Sequence, residues 1–403
     1  MEKCQADNRI SVTMISNAMN HHQFPFCDSM GEIPDVSFHF VATKPIAQDR
    51  LKTGFQDLNS SREYIVRSYE SELENNKAQQ LVDESDFVIY GSAPYEMLQN
   101  RKKNGKWIFL YSERLFKESR GIDPLNIKTI TACTLRYFFS SHKKLRLLCS
   151  SAFSSNDYRY FRFKENQAYK WGYFPPTSKH SFQDIIHQKE ENSIIWVGRF
   201  IPLKHAELAI ELAKKLKQNS LPFQMKLVGD GPMTESLKEE VKKFELQENV
   251  HFLGVLNTEQ TRREMERSQI MISTSDHNEG WGAVINEGMS SGCAMVASHL
   301  MGSVPYLIKD GVNGRIFESG NLDDLYIKVK MLLEDKELCD KYARNAYRSI
   351  SEKWNGIVAA ERLAELFRQY KSGNTDFAFE SDICSHAERM SNNWLINKRE
   401  IYK

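Results

Sequence analysis

The chain has no run approaching the roughly 18 uninterrupted apolar residues that a membrane span needs, and its start, MEKCQADNRISVTMISNAMN, lacks a basic stretch followed by an apolar one. The expectation is a protein neither exported nor spanning, working in the cytoplasm. Cysteine is sparse and scattered: seven residues (Cys4, Cys27, Cys133, Cys149, Cys293, Cys339, Cys384), with no Cys-x-x-Cys pair and no Cys/His cluster of zinc spacing. They read as free thiols, mostly in the core, in a reducing compartment. Internal repeats, low-complexity segments and an Asp-x-Asp metal motif are also absent; no cofactor is expected.

What is present is enough for two domains. The 403 residues are 41% apolar, too long for one ordinary domain. Short runs rich in Val, Ile and Phe recur between helix-like segments: ISVTMIS, DVSFHFVAT, SDFVIYGS, KWIFLYS and KLRLLCSS, then SIIWVGR, MKLVGDG, VHFLGV, QIMISTS, AMVAS and GRIFES. Each is short enough for a strand buried on both faces, and the segments between can hold crossover helices, so the fold class is α/β with parallel sheets. Pro175, Pro176 and a polar run break the rhythm between Trp171 and Ser193. The expected division is an N-terminal domain over 1–178, a second over 179–355, and a last helix with a polar tail over 356–403, with a helix break near Trp354 and Asn355.

The net charge of +1 hides an asymmetry. Residues 1–100 carry 8 Lys+Arg against 15 Asp+Glu, whereas 101–180 carry 17 against 5. The stretch 134–153 interleaves Arg136, Lys143, Lys144 and Arg146 with aromatics, which suits an anionic membrane surface or an anionic acceptor. A helix and strand with a solvated basic face explains it as well, and no nucleic-acid partner is expected.

The chemistry gathers between Ser273 and Glu318. A strand end runs into Glu279-Gly280-Trp281-Gly282 and then a helix from about Ala283 to Ser291, closed by Gly292. That helix start faces the carboxyl edge of the sheet, where open α/β domains bind ligands and where free N–H groups favour phosphate. Glu279 and Glu287 bracket the turn and suit hydroxyls of one ligand, a sugar and a ribose; alone, each reads as well as dipole complementation or a solvated helix face. Arg199 and Lys204, on the loop leaving SIIWVGR, put two cations at the same edge, as a departing diphosphate requires. LVGDGP, with Gly229 and Gly231, turns there too and is not a Gly-x-Gly-x-x-Gly dinucleotide fingerprint.

VGRFIPLKH, LVGDGP, VHFLG and EGWGAVINE, in this order and spacing, resemble the retaining glycosyltransferases of family four. The resemblance covers about residues 193–350. It implies the GT-B architecture, two Rossmann-like doubly wound parallel-sheet domains facing a central cleft, and transfer of a sugar from a nucleotide-diphosphate-sugar to a glycan or lipid-linked glycan, in polysaccharide or glycoconjugate synthesis. It further implies that Arg199 and Lys204 bind the diphosphate, that Glu279 contacts the sugar, that Glu287 holds the ribose, and that backbone around Gly280, Trp281, Gly282 and Ala283, with Gly229, lines the donor site. No metal is implied. YSERLFKE (111–118) and YKWGYFPP (169–176) are similar to a bacterial subgroup of surface-polysaccharide enzymes. Members often place a histidine of the N-terminal domain near the reacting sugar; here either Glu113 with Arg114, or His21 and His22, stands in that role. His205 replaces a glycine often found after the lysine. The alternative is a nucleotide-sugar epimerase on the same scaffold.

Overall fold

The computed structural model describes residues 9–46, 57–117, 128, 131 and 144–395. Two sheets divide it. The first holds β1 (Ile10–Ser16), β2 (Val36–Ala42), β3 (Ile65–Arg67), β4 (Phe87–Tyr90), β5 (Trp107–Ser112), β6 (Leu145–Cys149) and β7 (Ala168–Lys170), in spatial order β3-β2-β1-β4-β5-β6-β7. The second holds β8 (Glu190–Val197), β9 (Gln224–Val228), β10 (Val250–Gly254), β11 (Ser268–Ser273), β12 (Ala294–Ser298) and β13 (Gly314–Phe317), in order β10-β9-β8-β11-β12-β13. Every pairing within both sheets is parallel. The strands are continuous apolar runs because helices cover both faces: β4 and β12 are buried at every position. In each sheet the strand order reverses beside the first strand, between β1 and β4 and between β8 and β11. Chain leaving those strands at their carboxyl ends opens a crevice between divergent connections.

The eleven strands expected from the apolar runs are all present. β3 and β7 were not expected; each is only three residues long, too short for a periodic signal. The helix Val284–Ser290 ends as its glycine demands: Gly292 takes φ 64, and its N–H donates to the Met289 carbonyl. The break near Trp354 is a new helix start, where the Asn355 side chain accepts from the Val358 N–H and caps Gly356–Lys371. That last helix lies on the first sheet. Phe367 stacks on Phe87 at 4.3 Å, Arg368 binds Asp35 at 2.7 Å, and a Cβ on Gly356 would meet the Phe26 backbone nitrogen at 2.7 Å.

The tail is less loose than its polarity suggests. The Lys170 N–H donates to the Ser385 carbonyl, and the Cys384 and Ala387 N–H groups donate to Lys170 and Ala168, so the tail covers the open edge of β7. Further on, the Trp394 indole N–H donates to the His299 carbonyl of the second domain.

Residues 134–143 of the basic stretch lie outside the described residues. The rest of the stretch is largely not surface: Arg146 is buried on β6, donating to the Tyr370 hydroxyl at 2.7 Å, and only Lys144 is exposed. Cys27, Cys149, Cys293, Cys339 and Cys384 are free and buried, as expected; Cys4 and Cys133 lie outside the described residues. No described helix is long and apolar enough to cross a membrane.

Candidate active site

The site builds from two loops at the carboxyl edge of the second sheet. Past β8, Pro202 opens a single turn, Pro202–Lys204, and His205 at φ 49 swings the chain into the helix Ala206–Gln218. The loop leaving β11 is tied to it. The Thr274 hydroxyl donates to the Lys204 carbonyl at 2.7 Å and accepts from the Trp196 indole N–H at 2.8 Å, and the Asp276 N–H donates to the Leu203 carbonyl at 3.0 Å. His205 fastens the pair from outside, its Nε2 3.2 Å from Asp276 and its Nδ1 2.7 Å from Glu207. Hydrogen bonds to Asp276 and then Glu207 raise its pKa to about 9, so the ring is a cation at neutral pH. Between the two fastened loops the Lys204 ammonium and the Glu279 carboxylate form an ion pair. Arg199 stands exposed on the loop leaving the same strand.

Two of the first domain's contacts with this edge involve the expected residues. Glu113, just past β5, accepts from the Tyr173 hydroxyl at 2.6 Å, and its other oxygen pairs with Lys117. Its carboxylate lies so close over Gly280 that a Cβ there would sit 2.1 Å from Glu113 Oε2. A side chain at 280 would therefore have to push that carboxylate off its partners Tyr173 and Lys117.

The second meeting is at His21 and His22, after β1. The Asn20 side chain accepts from the His22 N–H at 3.0 Å, and the His22 carbonyl accepts from the Phe174 N–H at 2.8 Å. The His22 ring stacks on Tyr173, with centroids 5.5 Å apart and planes 3° from parallel. Burial first, and then His21 beside it, lower its pKa to about 3, so it is neutral. Both imidazoles reach Glu287, with one ligating atom from each of the three residues within 4.8 Å of the others. Burial pushes the Glu287 carboxyl up, opposed by Arg262 and Lys204.

The structure therefore gathers Lys204, Glu279, Gly280, Glu113, His21, His22 and Glu287 where the two domains meet. It does not bring every expected residue there. Trp281 was expected to offer its backbone to the donor, and its side chain is fully buried: its ring fills the space a Cβ on Gly172 would need, it neighbours Trp354 and Tyr306, and its N–H donates to Asn286 at 2.8 Å. A flat apolar ring gains more by leaving water than by lining a polar cleft. Arg114 touches the loop leaving β11 through its backbone only, its guanidinium donating to the His277 carbonyl and to the Asn392 side chain over the Phe153 ring. Gly229 owes its lack of a side chain to packing, since at φ 137 a Cβ would lie 1.9 Å from the Gly198 carbonyl oxygen. Gly282, at φ 82, leaves room for Met301, and Ala283 begins the helix part-exposed.

Tyr173 is the residue that sequence reasoning missed. It belongs to the YKWGYFPP segment, and its ring and hydroxyl serve His22 and Glu113 at once. The segment was singled out in the sequence; the partners of Tyr173 were not.

Residues 178–349 match the family model described as glycosyl transferases group 1. The poly(ribitol-phosphate) alpha-N-acetylglucosaminyltransferase of Staphylococcus aureus (strain COL) is 25% identical over 181 residues, which are 45% of this chain and 36% of that one. The alpha-D-kanosaminyltransferase of Streptomyces kanamyceticus is 28% identical over 176 residues, 44% of this chain and 45% of that one. The chain thus spans less than half the length of the curated relatives it matches. Over the whole fold, the Anabaena protein HepE, solved in complex with UDP, aligns with 90% of this chain and 100% of its own at a TM-score of 0.64 and 15% identity. The architecture is GT-B, two parallel-sheet α/β domains.

Proposed function

We propose that this chain is a glycosyltransferase that takes a sugar from a nucleotide-diphosphate donor at the carboxyl edge of its second sheet and passes it to a glycan or lipid-linked glycan, retaining anomeric configuration without a metal. The observation that carries the reading is the Lys204–Glu279 ion pair, held on two fastened loops and faced across the cleft by Glu113 at Gly280. The family match over the same half supports it, as do the relatives' names, which speak of sugar transfer, and the UDP in HepE. An epimerase is not favoured, since the matched model and the named relatives are transferases.

On this reading the donor diphosphate displaces Glu279 from the Lys204 ammonium, and Arg199 joins as a second, planar donor. Glu279, released, accepts from hydroxyls of the sugar, and Glu287 accepts from the ribose. The glycosyl carbon–oxygen bond to phosphate breaks through an oxocarbenium-like state, and Lys204 and Arg199 neutralise the charge gathering on the diphosphate. The acceptor oxygen bonds to that carbon from the face the diphosphate leaves and gives its proton to a departing phosphate oxygen. Glu113 and Tyr173 cover the opposite wall, excluding water that would otherwise take the sugar. A lipid-linked acceptor would bring the chain to the inner face of the cell membrane.

The test is nucleotide release from a donor with and without acceptor glycan. Release that rises only with acceptor, and falls at least about 100-fold in Glu279→Ala, is the result expected. Equal release in both conditions, or full transfer by the variant, rejects the reading.

A further inference from the structure

His21 and His22 have no role in the reaction just described, yet the chain assembles them with Glu287 from opposite domains. The geometry points to a divalent transition-metal site of the zinc class, with His21, His22 and Glu287 as its ligands, that bridges the cleft. One ligating atom from each residue already lies within 4.8 Å of the other two. Ligands about 2.0–2.2 Å from one zinc ion stand roughly 3.3–3.6 Å apart, so side-chain rotation of about 1 Å completes the set.

A second, independent observation points to a ligand. His22 Nδ1 is buried and has no hydrogen-bond partner among the described residues. Leaving such an atom unsatisfied is costly, and a metal held through Nδ1 would satisfy it. His22 is placed beside the site by its neighbours. Its backbone is held by Asn20 and Phe174, and its face lies flat on Tyr173. Two imidazoles and one carboxylate suit zinc, cobalt or nickel rather than magnesium, which prefers oxygen and keeps its water. Three protein ligands leave a fourth position open.

The site itself stands without the proposed function; only its consequence rests on that reading. Glu287 is there the group that holds the donor ribose. An ion that holds Glu287 to the histidines shuts the nucleotide end of the cleft, so metal and nucleotide exclude one another.

The experiment titrates the full chain with Zn2+ against a chromophoric chelator, and with Co2+ while its visible absorption is followed. One ion per chain is expected, with the intense Co2+ band of a four-coordinate site. Affinity should fall at least tenfold in His22→Ala, in Glu287→Gln and in His21→Ala. The last removes a part-exposed ring and decides the matter if His22→Ala does not fold. Absence of stoichiometric binding, or unchanged affinity in His21→Ala, overturns the site. UDP should weaken Zn2+ binding tenfold or more; binding through these residues that UDP leaves unchanged overturns the competition alone. A chain that binds Zn2+ here and binds no nucleotide keeps this site and loses the proposed function.

Discussion

Replacing His205 with glutamine should remove stability that is present at neutral pH and absent in alkali. The ring is the fastener between the two donor loops, with Asp276 at 3.2 Å and Glu207 at 2.7 Å. Its pKa rises from an ordinary 6.5 to about 9 on folding. A shift of about 2.5 units corresponds to roughly 3.4 kcal/mol of preference for the charged ring in the folded state. The side chain is 38% exposed, so solvent screening reduces the usable part to about 1–2 kcal/mol. Because the folded pKa is the raised one, this contribution is complete below about pH 6.5 and disappears as pH climbs through about 9. Glutamine keeps a hydrogen-bonding side chain but cannot carry the charge. Urea unfolding of wild type and His205→Gln across pH 6 to 10 should therefore show a gap of about 1–2 kcal/mol that closes at the alkaline end. A gap of constant size would mean that the ring acts by packing or backbone conformation, and the charge argument would fail.

Other substitutions separate the site from its scaffold. Gly280→Ala puts a methyl group where Glu113 Oε2 now lies, and the carboxylate is held by Tyr173 and Lys117, so transfer should drop at least about tenfold with the melting temperature nearly unchanged. Trp281→Ala, by contrast, empties the core and takes the indole donor from Asn286 Oδ1; unfolding free energy should fall by about 3–5 kcal/mol, read by denaturant titration. Phe367→Ala removes the ring stacked on Phe87 and should cost a similar ~3–5 kcal/mol, with protease cutting first within residues 356–395.

The readable parts of this molecule are those written in local pattern. Eleven strands announced themselves as apolar runs, and Gly292 and Asn355 marked a helix end and a helix start because φ above zero and a side-chain cap are local needs. β3 and β7 escaped because three residues carry no period; they pair only because β2 and β6 offer an edge. That Arg199, Lys204 and Glu279 stand on loops at the carboxyl edge of the second sheet was readable, since strand ends fix where such loops point. Contacts between domains were not. Glu113 over Gly280 and the histidines beside Glu287 depend on how the two domains meet, and spacing along the chain holds no record of that. Trp281 shows the same limit at one residue, because a ring in a Gly-flanked turn can face cleft or core, and here Gly172 and Trp354 decide.

The central claim is that Lys204 and Glu279 form the phosphate and sugar end of a nucleotide-sugar site. The most direct test is calorimetric binding of a panel of nucleotide-diphosphate-sugars in the presence of a chelator, by wild type and by Lys204→Ala. The account predicts that one donor binds wild type without metal and that the substitution weakens it at least tenfold, about 1.4 kcal/mol or more. Binding of no donor, or equal binding by both proteins, would contradict it.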